Sequence, residues 1–368
     1  PVGEICDRPL PEITSDRRAM ILYTSGTTSQ PKGVVTTHAA IEAQIQSLIT
    51  AWEWRNTDRI PLFLPLHHIH GIINILCCSV WAGASVETFD GFDIDFILNR
   101  VAAKSYSIFM AVPTIYVRLI EKLNSLPDAE RAGILEGFSS LRLMVSGSAA
   151  LPVSVHESWE SLTGQRLLER YGMTEIGMAL SNPYNAERRS GAVGQPLPGV
   201  KIRLQSEQGE VITSEGTPGE IQIRGPAVFL EYWDRPDTTS ASFADGWFQT
   251  GDIGILEDQY YRIMGRQSVD IIKSGGYKLS ALEIESVLLD HPAIRECAVV
   301  GIRDDTWGES VATAVVLQQD QTLNFESLRS WCRDRISHYR IPKQFRVVDT
   351  LPRNAMGKVT KPAVRELF

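Results

Sequence analysis

The sequence predicts an α/β fold: a large layered αβ domain with a β-barrel-like part, followed by a small mobile α+β domain. Three observations carry this. Over the first half, short apolar runs alternate with helical stretches, the pattern of a mostly parallel sheet with crossover helices. From about Ser190, glycine and proline become dense and short alternating runs appear, predicting a compact barrel or antiparallel sheet. After Gly265-Arg266 the texture changes again, so a boundary is expected at 266/267. That gives a large domain over 1–266, barrel-like at about 190–265, and a small domain over 267–368.

Taken in order, residues 19–23 (AMILY) read as a buried strand running into a polar loop at 24–33. Residues 34–51 read as helix, and 61–66, 85–89, 107–112, 141–145 and 166–168 as strands. The alternating runs of the second part are 200–204, 220–224, 247–249 and 260–264. In the last part a hairpin-like stretch at 269–277 precedes a helix at 281–289 and strands at 296–301 and 312–317. A helix at 324–336 and a strand at 345–349 close the series.

The 368 residues include 36 Lys+Arg against 44 Asp+Glu, a net charge of −8, with 43% hydrophobic and 22% charged residues. This balance excludes disorder and argues against nucleic acid as a partner, because no stretch concentrates basic residues. Five scattered cysteines (Cys6, Cys77, Cys78, Cys297, Cys332) fit free thiols in a reducing compartment better than a disulfide framework. The longest apolar run, 71–86, is shorter than the roughly 18–20 residues of a spanning helix and contains Asn74 and Ser79, so membrane insertion is not expected.

The loop TSGTTSQPKG (24–33) places hydroxyls, glycines and one lysine directly after an apolar strand. Backbone N–H groups and hydroxyls can surround phosphate oxygens there, and Lys32 adds compact positive charge. It is not a Walker loop, since Pro31 precedes the lysine and Gly33 follows it. Taken alone, it reads equally well as a flexible surface loop. It resembles, however, the signature loop of the AMP-forming acyl-CoA synthetase and adenylation superfamily. Further motifs follow in that family's order: YGMTE (171–175), GEIQIRGP (219–226), WFQTGD (247–252), GRQSVDIIKSGGYK (265–278) with EIE (283–285), and PRNAMGK (352–358). Within the superfamily, LPLHHIHG, FMAVPTIY, RLMVSGSAALP and LERYGMTEIGMALSNPY resemble malonyl-CoA synthetases. Members carry a substantial further N-terminal segment, so the chain is expected to be a fragment or a truncated gene product.

The resemblance implies ATP, Mg²⁺ and coenzyme A as co-substrates and cofactors, with a small carboxylic acid as the acyl donor. Thr24, Ser25, Gly26, Thr27, Thr28 and Lys32 are then the pyrophosphate-side loop. Thr174 and Glu175 contact the α-phosphate and hold Mg²⁺, a cation suited by oxygen ligands. Tyr171 stacks near adenine with Gly172 and Met173 beside it, and the backbone of Gly147, Ser148 and Ala149 lines the nucleotide and acyl pockets. Asp252 is the ribose ligand and Arg266 the cation at the domain junction. Lys358 stabilises charge as the acyl-adenylate forms, while Gly275 and Gly276 let backbone approach the pantetheine arm. Outside that context each has an ordinary reading: a capping Asp252, a solvated Arg266 or Lys358, a hairpin turn at Gly275-Gly276.

For a malonate-like acid the distal carboxylate needs an arginine, whose planar fork binds carboxylate in bidentate fashion. Arg118, early in a helix after PTIY, is the first candidate, with Arg170 and Arg142 behind it. His67, His68 and His70 invite a zinc reading, but no cysteine or acidic partner accompanies them; one imidazole, His70, is instead expected to line the acyl pocket. A ligase for another short or medium-chain acid, and a nucleotide-binding but catalytically incompetent fragment, are the alternatives. The expected compartment is the cytoplasm or the mitochondrial matrix.

Overall fold

The computed structural model describes residues 11–24, 31–353 and 359–368. Four consecutive β-branched residues, Val34 to Thr37, override the helical reading of 34–51. Lys32–Thr37 is a strand and the helix His38–Ala51 begins only after it. Thr37 caps that helix, its hydroxyl accepting from the Ala40 amide at 3.1 Å. The strand pairs antiparallel with Arg18–Thr24, and Thr24 lies opposite Lys32. Strands therefore flank 25–31 on both sides, where a strand and a helix were expected. On its other edge Lys32–Thr37 pairs with the short strand Glu231–Tyr232.

The layered part is built on a five-stranded sheet. Ile108–Ala111, Leu143–Ser146 and Leu168–Met173 run parallel, and Gly177–Ser181 and Gln195–Pro196 continue it antiparallel. A separate parallel pair joins Arg59–Leu62 to Ser85–Thr88. Helices Pro113–Ser125, Asp128–Ser139 and Val153–Thr163 cover the sheet through Tyr116, Phe138 and Trp159, all fully buried with rings edge to face at 4.9–5.2 Å. Pro113 opens its helix where no amide bond is lost.

The glycine- and proline-rich region forms a six-stranded antiparallel sheet. Its longest member, Trp247–Glu257, pairs with Gly219–Arg224, Phe243–Ala244 and Tyr260–Arg266. It runs far beyond the 247–249 read from sequence, because partners on both edges carry it through Gly251 and Gly254.

The last part is a five-stranded sheet dominated by the pair Ile294–Asp304 and Gly308–Leu317, with Gln344–Val347 parallel to the second. Side chains alternate across it: Val299, Val311 and Val315 pack under helices Ala281–Leu289 and Phe325–Arg333, while Ala298, Val300 and Val316 face Val364. The helix Lys361–Arg365, which holds Val364, was not legible as a separate element. Contacts with the preceding sheet include the Arg262–Glu283 ion pair and Glu207 facing both Lys273 and Lys278. Cys77, Cys78, Cys297 and Cys332 are free thiols; Cys6 lies outside the described residues. No helix among the described residues is long and apolar enough to cross a membrane.

Candidate active site

A cleft of about 530 Å³ opens where the first hairpin, the end of Leu168–Met173, the antiparallel sheet and residues 266–268 meet. Thr24, Lys32, Met173, Glu175, Tyr232 and Arg266 are among the residues lining it. Its buried carboxylates each have a hydrogen-bond partner. Asp252 is buried; one carboxylate oxygen accepts from the Tyr171 hydroxyl at 2.6 Å and the other from Arg266 Nε at 3.1 Å. Burial holds the Asp252 carboxyl above its ordinary range, against the pull of Arg266 and the Tyr171 hydrogen bond. Glu175, in the turn after Leu168–Met173, accepts from the Tyr232 hydroxyl at 2.9 Å. Burial raises its pKa too, opposed by a backbone amide, Tyr232, Arg266 and Lys32. The Lys32 ammonium lies 4.8 Å from the centroid of the Tyr232 ring.

A second group of polar side chains gathers around Arg170, on the same strand as Met173, and it is only partly paired. The first turn of a π-helix, His70–Cys77, carries buried His70, whose Nδ1 stands 3.2 Å from Ser148 Oγ. Ser148 holds φ = +71° in the loop after Leu143–Ser146. Next to it Gly147 lies flat against the guanidinium of buried Arg170: a Cβ there would stand 2.4 Å from Arg170 Cζ, so only glycine fits. Arg170 Nε and Nη2 and His70 Nε2 have no partner among the described residues. Burial lowers the Arg170 pKa to about 10, and burial with Arg170 and His68 nearby keeps His70 neutral. Neighbouring Glu169 accepts from the Leu151 amide at 3.0 Å, and burial pushes its carboxyl up to about 8.

Not every expected residue joins these groups. Arg118 is exposed on its helix with its guanidinium 5.2 Å over the Phe92 ring, so the structure does not bring it to Arg170 and His70. The helix begins at Pro113 rather than after PTIY, and Arg118 faces away from the buried side that Ile115, Tyr116 and Leu119 occupy. Arg142 is committed to Asp58, donating through Nε at 2.8 Å, and to the Trp52 carbonyl. The exposed rings of His67 and His68 lie 4.4 Å apart and tilted at 51°, and no cluster of three potential metal-ligating residues occurs among the described residues. Ala149 is exposed, Thr174 half-buried in the Glu175 turn, and Gly172 half-buried beside Tyr171. Gly275 and Gly276 form the turn between Ile271–Ser274 and Tyr277–Ser280 at φ = +58° and +84°; a Cβ on Gly275 would stand 2.7 Å from the Trp307 ring. Ser25, Gly26, Thr27, Thr28 and Lys358 lie outside the described residues.

Sequence reasoning missed Tyr232, Gln249, Thr250 and Trp307. Thr250 stands inside the WFQTGD motif and was overlooked beside Asp252. Tyr232 has no local signal, because only the pairing of Glu231–Tyr232 with Val34 and Val35 brings it to the cleft.

The AMP-binding enzyme model matches residues 4–233, and the AMP-binding enzyme C-terminal domain model matches 283–358. The chain belongs to the AMP-binding enzyme family. Among relatives of this AMP-binding enzyme, the mitochondrial malonate–CoA ligase ACSF3 of Bos taurus is 47% identical over 96% of the chain. The chain spans 65% of that relative's length, just under two thirds. Among solved structures, ATP-bound MatB from Rhodopseudomonas palustris superposes with a TM-score of 0.86 at 36% identity, covering 96% of this chain and 69% of that one. A malonyl-CoA ligase ternary product complex with methylmalonyl-CoA and AMP bound gives 0.66 at 38% identity, covering 94% and 74%. The cleft of this AMP-binding enzyme offers hard oxygens, the Glu175 carboxylate and the hydroxyls of Thr24 and Thr250 among its lining. One carboxylate with open space beside it suits Mg²⁺, which keeps waters and substrate phosphates in its shell.

Proposed function

We propose that the chain is an AMP-forming acid–thiol ligase that activates malonate with ATP and transfers the malonyl group to coenzyme A. The observation that carries the substrate is Arg170: a buried guanidinium with unpaired N–H groups, beside His70 and Ser148 and next to the nucleotide cleft. A dicarboxylate presents one carboxylate to such a fork while the other reacts. We assign the distal carboxylate to Arg170 rather than Arg118. The names of the similar proteins support the same acid.

The reaction needs two displacements. A malonate oxygen attacks the α-phosphorus of ATP, the bond to the β-phosphate breaks, and pyrophosphate leaves with the electron pair. The thiolate of coenzyme A then attacks the acyl carbon and AMP leaves. In the first step Lys32, with the loop 25–30, takes the β- and γ-phosphates, and Asp252 receives the ribose hydroxyls. Arg266 balances charge between ribose and phosphate, and Tyr171 closes the adenine side. Glu175 and Thr174 would hold Mg²⁺, which supplies charge neutralisation at the phosphates when bound. In the second step Gly275, Gly276 and Trp307 line the approach of the thiol arm.

We place the division between the moving parts at 266/267, because Lys358 and Gly275-Gly276 serve different steps at one site and both cannot face it together. The scores of 0.86 and 0.66, obtained at nearly equal identity and coverage, support two arrangements of one fold, with this chain in the ATP-type arrangement. The cytoplasm or the mitochondrial matrix is the compartment, the latter supported by the mitochondrial relative.

ATP–pyrophosphate exchange on full-length protein, screened over malonate, methylmalonate, acetate and longer acids, tests the reading. Malonate should give the highest kcat/KM; no exchange with any acid would leave only a nucleotide-binding fragment. Lys358→Ala should abolish adenylate formation while preserving thioester formation from preformed malonyl-adenylate, and equal loss in both steps would assign Lys358 elsewhere.

A further inference from the structure

We propose that Tyr232 is a positioning residue that keeps the phosphate-side lysine and the cation-holding carboxylate apart, so that neither neutralises the other before nucleotide binds. The inference rests on the nucleotide reading of the cleft. It is carried by three residues far apart in sequence. Lys32 stands at the foot of the hairpin, Glu175 in the turn after the parallel strands, and Tyr232 between them. The ammonium lies over the face of the Tyr232 ring at 4.8 Å, and the carboxylate takes the hydroxyl at its tip at 2.9 Å. A cation and an anion thus occupy two different parts of one ring. Among the described residues Lys32 makes no ion pair.

The backbone around Tyr232 is stitched to both partners. The Phe229 amide donates to the Glu175 carbonyl at 2.7 Å, the Leu230 amide to the Val35 carbonyl at 2.9 Å, and the Trp233 amide to the Gly33 carbonyl at 2.7 Å. The ring itself is 5% exposed and packs edge to face on Phe229 at 4.7 Å. It cannot swing away from either contact. A lysine and a glutamate in one half-buried cleft attract strongly and would otherwise close into a direct pair, removing both from the phosphates and the cation. An aromatic ring accepts the ammonium weakly enough to release it to phosphate.

The test uses equilibrium binding without turnover, ATP against AMP, by calorimetry on the full chain, with EDTA or with Mg²⁺. Tyr232→Leu should weaken ATP in EDTA by roughly tenfold, the size of a lost salt-type contact to phosphate, and leave AMP within about twofold. Adding Glu175→Gln to that variant should restore ATP affinity in EDTA, since the trap is gone. Tyr232→Phe keeps the ring, so ATP binding in EDTA should stay near wild type, and only the Mg²⁺-dependent gain should fall. Equal loss of ATP and AMP, no rescue by Glu175→Gln, or a large loss for Tyr232→Phe in EDTA would each overturn the proposal. If Tyr232→Leu does not fold, the Tyr232→Phe comparison still decides. Wild-type protein that binds ATP but makes no malonyl-adenylate would instead overturn the ligase reading and leave the spacer intact.

Discussion

The cleft at Glu175 and Asp252 and the group around Arg170 and His70 handle buried charge in opposite ways. In the cleft every buried charge has a protein partner: Asp252 holds Tyr171 and Arg266, and Glu175 holds Tyr232. Around Gly147, Arg170 and His70 keep nitrogens with no partner among the described residues. A buried guanidinium left without a partner is expensive. The cleft charges are held by protein groups, whereas Arg170 and His70 are the groups proposed above to meet a substrate carboxylate. The two should therefore respond to charge removal with opposite signs of stability.

The largest effect is expected at Arg170. Arg170→Met should lower kcat/KM for malonate by about 10²–10⁴-fold, corresponding to the roughly 3–5 kcal/mol of a broken buried pair, with acetate little changed. The same change should raise the thermal midpoint of the free protein, because an orphaned buried charge is gone. The malonate-to-acetate ratio and a melting curve check both halves. A ratio that does not move returns Arg118 and Arg142 to consideration, and a lowered midpoint would mean Arg170 is paired in the free protein after all.

Asp252→Asn should do the reverse. It leaves Arg266 without its carboxylate, although Tyr171 can still donate to the amide oxygen. A loss of about 1–3 kcal/mol is expected for a charged hydrogen bond in a buried position, together with a roughly tenfold rise in the KM for ATP. Unchanged stability would erase the contrast between the two regions.

How much of this contrast was legible depended on the range of the contacts. The strand at 19–23, the Asp252 motif and the Gly275-Gly276 turn are local, and they emerge from residue order alone, although that strand is exposed to half-buried where a buried one was expected. The hairpin made by Lys32–Thr37 was missed because four β-branched residues were absorbed into the helix that follows them. Tyr232 was missed because its role depends on pairing across some two hundred residues. Arg170 was ranked behind Arg118 because sequence does not reveal which face of an element is covered. Burial of Arg170 against Gly147, and exposure of Arg118 over Phe92, follow from packing across several strands and a helix. The motifs marked the chemistry, and the tertiary contacts chose the charges.

The smallest effect sharpens the comparison through pH. Burial raises the Glu169 carboxyl from 4.5 to about 8, with the Leu151 amide and Arg170 opposing. Between these values the unfolded chain has lost this proton while the native protein keeps it, so the native state binds more protons. Its stability therefore falls as pH rises through that window, by up to about 1.4 kcal/mol per pH unit. Above about 8 both states are ionised and the penalty is constant; below 4.5 both are protonated and it vanishes. Glu169→Gln keeps an oxygen for the Leu151 amide and removes the titration. The difference in unfolding free energy, variant minus wild type, should climb from pH 5 to pH 8 and level off by pH 9, below the range where Arg170 at about 10 loses its own proton. Asp252 and Glu175 also titrate upward of their ordinary range, but they are common to both proteins and cancel in the difference. Urea titrations at four pH values measure it. A flat difference would show that Glu169 is already ionised against Arg170, making this group paired like the cleft.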